Sequence, residues 1–428
     1  MATTACAGVG TTTPQPIAQS ETELDRSLDA MLMPYVQSRD FAGVVMMERQ
    51  GAVVAHRTYG AADIETGRAN TPDTRYICSS IGKLFTRAAL VALAADGRLS
   101  LDDPFARFLP DFPNAGNFTI AQLIRHRAGI SRDLTLGADM TRRLSVTELV
   151  QRVAATQAAG TPGERYFYSN NGYRLLAYVI ERAGGGDYGA IVRERVFEPR
   201  GMRDTAEFGL ADAVPNRAVG YVPGPGLRTL ELAPTEELLN HRGPGSFFTT
   251  PNDLMKFARS LPIAEADLQA PVTEGDVRRL GHDGLGHGYA SMCFFYPEHD
   301  ARLVMTCNIQ MGLLSPLQDA FEGLLLGRTA AALPASPTEA AALDMSRAQI
   351  VAGNYELFPG TPLIVRLRGD LLEVSAGGDA YAPLTPLGGD RYFMRQRYGT
   401  LTFNVTDGRS ESVLWAEPGG EFSLRRLD

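Results

Sequence analysis

Ser80-Ile81-Gly82-Lys83 opens a stretch of helical periodicity. Residues three apart on a helix share a face, so this hydroxyl and this amine can come within hydrogen-bond reach. A serine at a helix N-terminus also has free backbone N–H groups and the positive end of the dipole beside it, which would steady an oxyanion. A lysine held among apolar neighbours gives up its proton more easily and can then act as a base. Taken alone, the tetrad could equally be an N-cap followed by a surface lysine. Composition adds to it: Lys and Arg total 41, yet only Lys83 and Lys256 are lysines. Where arginine is so favoured, a retained lysine suggests a need for a cation that can lose its proton near neutral pH.

Two further groups could complete such a site. Tyr168-Ser169-Asn170 precedes another helix-like block; a tyrosine there could share a proton with Ser80 and Lys83, and Asn170 could hold the amine and donate to a substrate carbonyl. Its plain reading is a helix N-cap beside a packed aromatic. His282-Asp283-Gly284 stands just before an apolar run. Such a residue on an exposed strand could hold the acyl part of a substrate by strand addition, Gly284 allowing close backbone approach and a nearby N–H completing the oxyanion hole. Read instead as metal ligands, His282, Asp283 and His287 lack a second histidine cluster to complete a site, so no metal and no cofactor is expected.

The elements that must position these groups alternate in type. A helix-like stretch, Glu21 to Ser38, leads into strand-like runs at 42–48 and 51–56 whose spacing reads as a hairpin. Ser80 to Asp96 is amphipathic and closes at Gly97. Helix-like blocks follow at 119–126, 145–155, 171–183, 188–197 and 251–260, then strands at 288–296 and 301–309, and a last helix at 314–326. Strands, then helices, then strands imply an α+β fold: one antiparallel sheet assembled from both ends, flanked by helices, with a helical subdomain. Residues 329–345, rich in Ala, Pro and Thr, read as a linker, and the short alternating runs of 346–428 as a small all-β barrel. Residues 1–19, small and polar, read as a flexible tail.

Order and flanking text together carry a resemblance. Ser80-Ile81-Gly82-Lys83, Tyr168-Ser169-Asn170 and His282-Asp283-Gly284 are similar to the S-x-x-K, Y-x-N and K-T-G-type motifs of the penicillin-recognising serine enzymes. Gly97 to Pro104, Phe108-Leu109-Pro110, Leu123 to Gly129, Pro199 to Met202 and Gly284 to Ser291 also look like family landmarks. Residues 20–328 thus resemble the branch holding class C β-lactamases, D-aminopeptidases and β-lactamase-like esterases, with a lipocalin-like module after them. The resemblance implies Ser80 as nucleophile, Lys83 as the partner taking its proton and Tyr168 as general base that later protonates the leaving group. It further implies Asn170 orienting Lys83 and the substrate amide, His282 lining the acyl side, and the N–H groups of Ser80 and Leu285 as oxyanion hole. Implied activity is hydrolysis of an ester or amide, D-configured peptides included, through an acyl-Ser80 intermediate. Transfer of the same acyl group to an amine or alcohol, and an inactive binding protein, are the alternatives. Two departures bear on the cleft: the Gly-Gly loop reads Gly243-Pro244-Gly245-Ser246, and the segment from it to His282 is short.

Bulk properties exclude other classes. The chain has 428 residues, 44% hydrophobic and 21% charged, enough for two or three domains. A net charge of −8 with no basic run argues against nucleic acid as a partner and leaves a small molecule or peptide. Four scattered cysteines make no disulfide framework, no apolar stretch can span a bilayer, and the N-terminus lacks a signal-peptide pattern, so a cytoplasmic address is expected unless a leader is missing. Oligomeric state is not readable.

Overall fold

Thr22 accepts the Asp25 N–H while Asp25 reaches back to the Thr22 N–H, and this reciprocal cap starts helix α1 (Glu23–Gln37). In this computed structural model the described residues are 22–261, 272–274, 277–358, 361–377 and 380–428. The tail expected at 1–19, with Cys6, lies outside them, as do 262–271 and 275–276 of the segment before His282.

After α1 come strands β1 (Gly43–Arg49) and β2 (Ala52–Tyr59), paired antiparallel through the Gln50-Gly51 turn. Far along the chain follow β3 (Val272–Glu274), β4 (Val277–Gly286), β5 (Tyr289–Tyr296) and β6 (Ala301–Cys307). They join the first pair in one six-stranded sheet of order β3-β4-β5-β6-β1-β2, with Gly43 opposite Cys307 and Arg49 opposite Ala301. The sheet is therefore assembled from both ends, as the strand and helix order implies. Its strand β5 is buried along all eight residues, which explains an apolar run rather than an alternating one.

Between the two halves of the sheet lie α2 (Gly82–Ala95), α3 (Ile120–Ile124), α4 (Val146–Ala154), α5 (Asn170–Gly184), α6 (Tyr188–Val192) and α7 (Pro251–Arg259). Capping boxes at Thr119/Gln122 and Ser145/Glu148 start α3 and α4. Helix α2 is the axis of this region: Leu84, Phe85, Ala88, Ala89, Leu90 and Leu93 are all buried, each large side chain stabilising it by about 2 kcal/mol. Phe85 meets Phe197, Phe247 and Phe257 edge-on at centroid distances of 5.0, 5.7 and 4.9 Å, a geometry that fixes helix rotation as well as burial. Behind the sheet, α8 (Leu314–Leu325) packs with α1 through Leu317, Phe321 and Leu325.

Residues 329–344 carry no helix or strand, and α9 (Met345–Val351) begins the last region. There the expected barrel resolves into two antiparallel sheets. One holds β7 (Gly353–Phe358), β8 (Thr361–Arg368), β9 (Leu371–Ala376) and β10 (Ala382–Pro383). The other holds β11 (Thr385–Gly388), β12 (Arg391–Met394), β13 (Gly399–Thr406), β14 (Arg409–Glu417) and β15 (Gly420–Arg425). They share one core that includes Tyr355, Leu372, Phe403 and Trp415 and meet at a Tyr355–Arg426 bridge. No closed ring forms among the described residues. At the opposite seam, where the chain passes from β10 to β11, Pro383 and Pro386 supply no N–H to a ladder.

Candidate active site

Chain folding brings Ser80, Lys83 and Tyr168 together. Ser80 sits in a short 3₁₀ turn, Ser79–Ile81, that runs into α2, so Lys83 lies one turn on and on the same face. Tyr168 comes from the loop ahead of α5, where Ser169 caps the helix by accepting the Gly172 N–H. Ser80 Oγ lies 2.9 Å from the Tyr168 hydroxyl and 3.1 Å from Lys83 Nζ. Lys83 Nζ also donates to Asn170 Oδ1 at 2.7 Å and to the Pro244 carbonyl at 3.4 Å.

The environment of Lys83 decides its chemistry. The side chain has 0% exposure, and its three acceptors are a hydroxyl, an amide oxygen and a peptide carbonyl, none of them charged. Burial therefore drives its pKa well below the ordinary lysine value; the Asp133 charge opposes this and the Arg174 and Arg87 guanidiniums reinforce it. Tyr168 shifts the other way, burial raising its phenol although the Ser80 hydrogen bond pulls it back. Burial thus shifts Lys83 toward the free amine and Tyr168 toward the intact phenol.

His282-Asp283-Gly284 precedes β5, as expected, and itself lies inside strand β4, whose bounds were not read from sequence, pairing with Ser291–Cys293 of β5. Among the described residues the β3 ladder covers Val277–Arg279, and the Gly284–Gly286 end of β4 lies beside the Ser79-Ser80 turn. A Cβ at Gly284 would stand 2.4 Å from the Cys78 carbonyl and 3.2 Å from the Ser80 nitrogen, which is why no side chain fits there. Leu285, the next residue, is exposed. The His282 ring lies 6.2 Å from that of Tyr168, and its Nδ1 meets the Asp283 carbonyl. Burial lowers the His282 pKa.

The departing loop Gly243-Pro244-Gly245 is a wall of the same site. A Cβ at Gly82 would be 2.8 Å from Gly245 Cα, and one at Gly245 would be 2.3 Å from the Ser79 carbonyl. Thr86 on α2 donates to the Gly243 carbonyl at 2.6 Å, fixing the loop whose next carbonyl receives Lys83.

Two positioning residues were not singled out by motif. Asp133 accepts from Asn170 Nδ2 at 2.6 Å and from Arg174 at 2.5 Å, which turns the Asn170 oxygen toward Lys83. Sequence offers 49 acids; the only local pointer is Arg174, one helical turn beyond Asn170 and so buried that it requires a carboxylate. His126 stacks on Tyr168 at 4.6 Å, and its Nδ1 accepts the Ser169 N–H at 3.0 Å. Burial pushes its pKa down to about 2, so the ring is neutral and able to accept. His126 stands within a recognised landmark, but its left-handed φ of 56° and its stacking are tertiary facts.

Comparison with known proteins follows this geometry. A profile of the Beta-lactamase family matches residues 28–325. The chain is 24% identical over 429 residues to penicillin-binding protein 4* of Bacillus subtilis (strain 168), covering 90% of this chain and 95% of that one. It is 32% identical over 217 residues to esterase EstB of Burkholderia gladioli, a match spanning 46% of this chain and about half, 54%, of that protein. Among solved structures, D-amino acid amidase from Ochrobactrum anthropi superposes with a TM-score of 0.59 at 22% identity, covering 67% of this chain and 92% of that one. No helix among the described residues is long and apolar enough to cross a membrane.

Proposed function

Because the chain belongs to the Beta-lactamase family and is a serine hydrolase, we propose that it cleaves an ester or amide through an acyl-Ser80 intermediate. One observation carries this reading: the Ser80 hydroxyl is within 3.1 Å of both a buried, uncharged-favouring amine and a phenol. Ser80 Oγ attacks the carbonyl carbon as its proton passes to Lys83 Nζ. The resulting oxyanion is held by the Ser80 and Leu285 N–H groups, which the close approach of Gly284 brings to one side of the cleft. Tyr168, hydrogen-bonded to Ser80, passes a proton to the leaving oxygen or nitrogen as its bond to carbon breaks, and is refilled from Lys83. Water then attacks the acyl-serine by the reverse proton path. Asn170 holds the amine, while His282 on β4 lines the acyl side.

D-Configured amino acid amides are the amide class we assign, supported by the shared fold of the D-amino acid amidase. Incubation with p-nitrophenyl acetate or a penicillin is expected to add one acyl unit to the intact mass, located on the peptide containing Ser80. Ser80→Ala should carry no adduct. An adduct mapped to another residue overturns the assignment, and an added amine that captures most of the acyl group identifies a transferase instead of a hydrolase.

A further inference from the structure

Away from the Ser80 triad, three side chains from two distant parts of the chain converge. Glu236 and His241 lie on the segment and 3₁₀ turn that lead into the Gly243 loop. His287 stands at the tip of the β4–β5 hairpin. His241 Nε2 is 2.9 Å from Glu236 Oε2, and His287 Nδ1 contacts Glu236 Oε1. The candidate donor atoms of all three lie within 4.8 Å of one another. We propose that Glu236, His241 and His287 form a binding site for a zinc-class divalent cation, which braces the β4–β5 hairpin against the Gly243 loop.

The donor set supports the class of ion. Two imidazole nitrogens and a carboxylate are the mixed N/O ligands that borderline divalent metals take in preference to calcium or magnesium, which favour all-oxygen shells. Metal–ligand bonds near 2.0–2.1 Å place tetrahedral ligand atoms about 3.3 Å apart, so a cation fits once the two imidazoles draw slightly off the carboxylate. The ring planes stand at 75° with centroids 4.7 Å apart, so their edges rather than faces meet the carboxylate. Side-chain exposures of 17%, 14% and 18% for His241, His287 and Glu236 leave a path for entry without an open surface.

The backbone holds His287 in place for this role. Its φ is +58°, between Gly286 and Gly288 that also have positive φ, a left-handed conformation in which His, like Asn and Asp, is enriched over other side chains. Gly288 is pressed against Gly220 and Ala233, where a Cβ would come within 2.8 Å, and donates to Gln310 Oε1 at 3.0 Å. The hairpin tip is therefore fixed before any ion arrives. From sequence, His287 could only be grouped with its neighbours His282 and Asp283; the fold pairs it with residues some fifty positions earlier.

Position gives the site its consequence. Gly286, next to His287, receives the Ser79 hydroxyl through its carbonyl at 3.4 Å, and Pro244, three residues after His241, receives Lys83. A cation would tie together the two walls that flank the serine.

The test uses the full chain stripped with EDTA, dialysed against zinc chloride and measured by metal analysis, with cobalt(II) absorption reporting the ligand geometry. One zinc per chain and tetrahedral cobalt bands are expected. His287→Asn, which keeps a residue tolerant of positive φ, and Glu236→Gln, which keeps the side-chain shape, should each weaken zinc by about 100-fold or more with the circular dichroism spectrum unchanged. A wild-type chain that takes up no stoichiometric zinc overturns the proposal. So does uptake that both variants match, which would mark an adventitious ion only.

Discussion

Lys83 and Arg395 are both cut off from water, at 0% and 2% exposure, and differ in what surrounds them. Arg395, on the turn after β12, meets the buried carboxylate of Asp40 at 2.5 Å and donates to the carbonyls of Ser38, Arg39 and Thr229. Asp40 in turn accepts from Tyr398 and Ser38. This fully satisfied pair clamps the C-terminal sheets onto the end of α1. Lys83 donates only to neutral acceptors, and the Asp133 carboxylate stands behind Asn170. A buried cation with a carboxylate in contact is held charged and serves as a joint. One without such contact is poised to release its proton, and only lysine can do so.

Replacing the poised cation by a fixed one is the hardest test of that contrast. Lys83→Arg keeps the charge but cannot accept the Ser80 proton, so acylation by an activated ester should fall by about 10³-fold or more; near-normal rates would end the distinction. Breaking the joint should act on stability instead. Asp40→Ala strands the Arg395 guanidinium and should cost about 3–5 kcal/mol in urea unfolding, while the acylation rate of the folded protein stays at its wild-type value.

A pH profile sharpens the comparison further. In the proposed mechanism the competent form is the neutral amine, so kcat/KM should rise with pH through the lowered folded pKa of Lys83 and fall away below it. Asp133 raises that pKa; Asp133→Asn should therefore move the acid limb to lower pH, and a shift upward would contradict the assigned electrostatics. The smallest effect belongs to the other lysine. Lys256 is 40% exposed and bridges Asp253 at 2.7 Å, so Lys256→Arg should change stability by no more than about 0.5 kcal/mol and leave acylation as it is.

What could be read before folding was whatever is local. Helix α2, the cap at Ser169 and the Ser80–Lys83 spacing follow from neighbours within a turn or two, and the scarcity of lysine narrowed the question to Lys83 and Lys256. The end-to-end sheet was legible because order alone constrains which strands can meet. The extent of β4 before and through His282-Asp283-Gly284 was not read because glycine-rich, half-buried strands carry no clear alternation. Asp133, Asp40 and Glu236 were invisible for a different reason. A carboxylate's partner is chosen by tertiary proximity, and nothing adjacent to these three marks them among the other acids. Whether two short sheets close on each other likewise depends on how the chain turns at Pro383 and Pro386, a matter of three-dimensional path.

The pairing of β1 with β6 sets a timetable for synthesis. Gly43 leaves the ribosome long before its partner Cys307, and at ordinary elongation rates the interval is on the order of tens of seconds. For most of it, the first hairpin has no sheet to join and Ser80 has no β4 beside it. A message broken between the codon for Lys83 and those for β4 yields a polypeptide holding both Ser80 and Lys83 yet lacking the wall that shelters them, so such an unfinished product would be inert toward acyl donors.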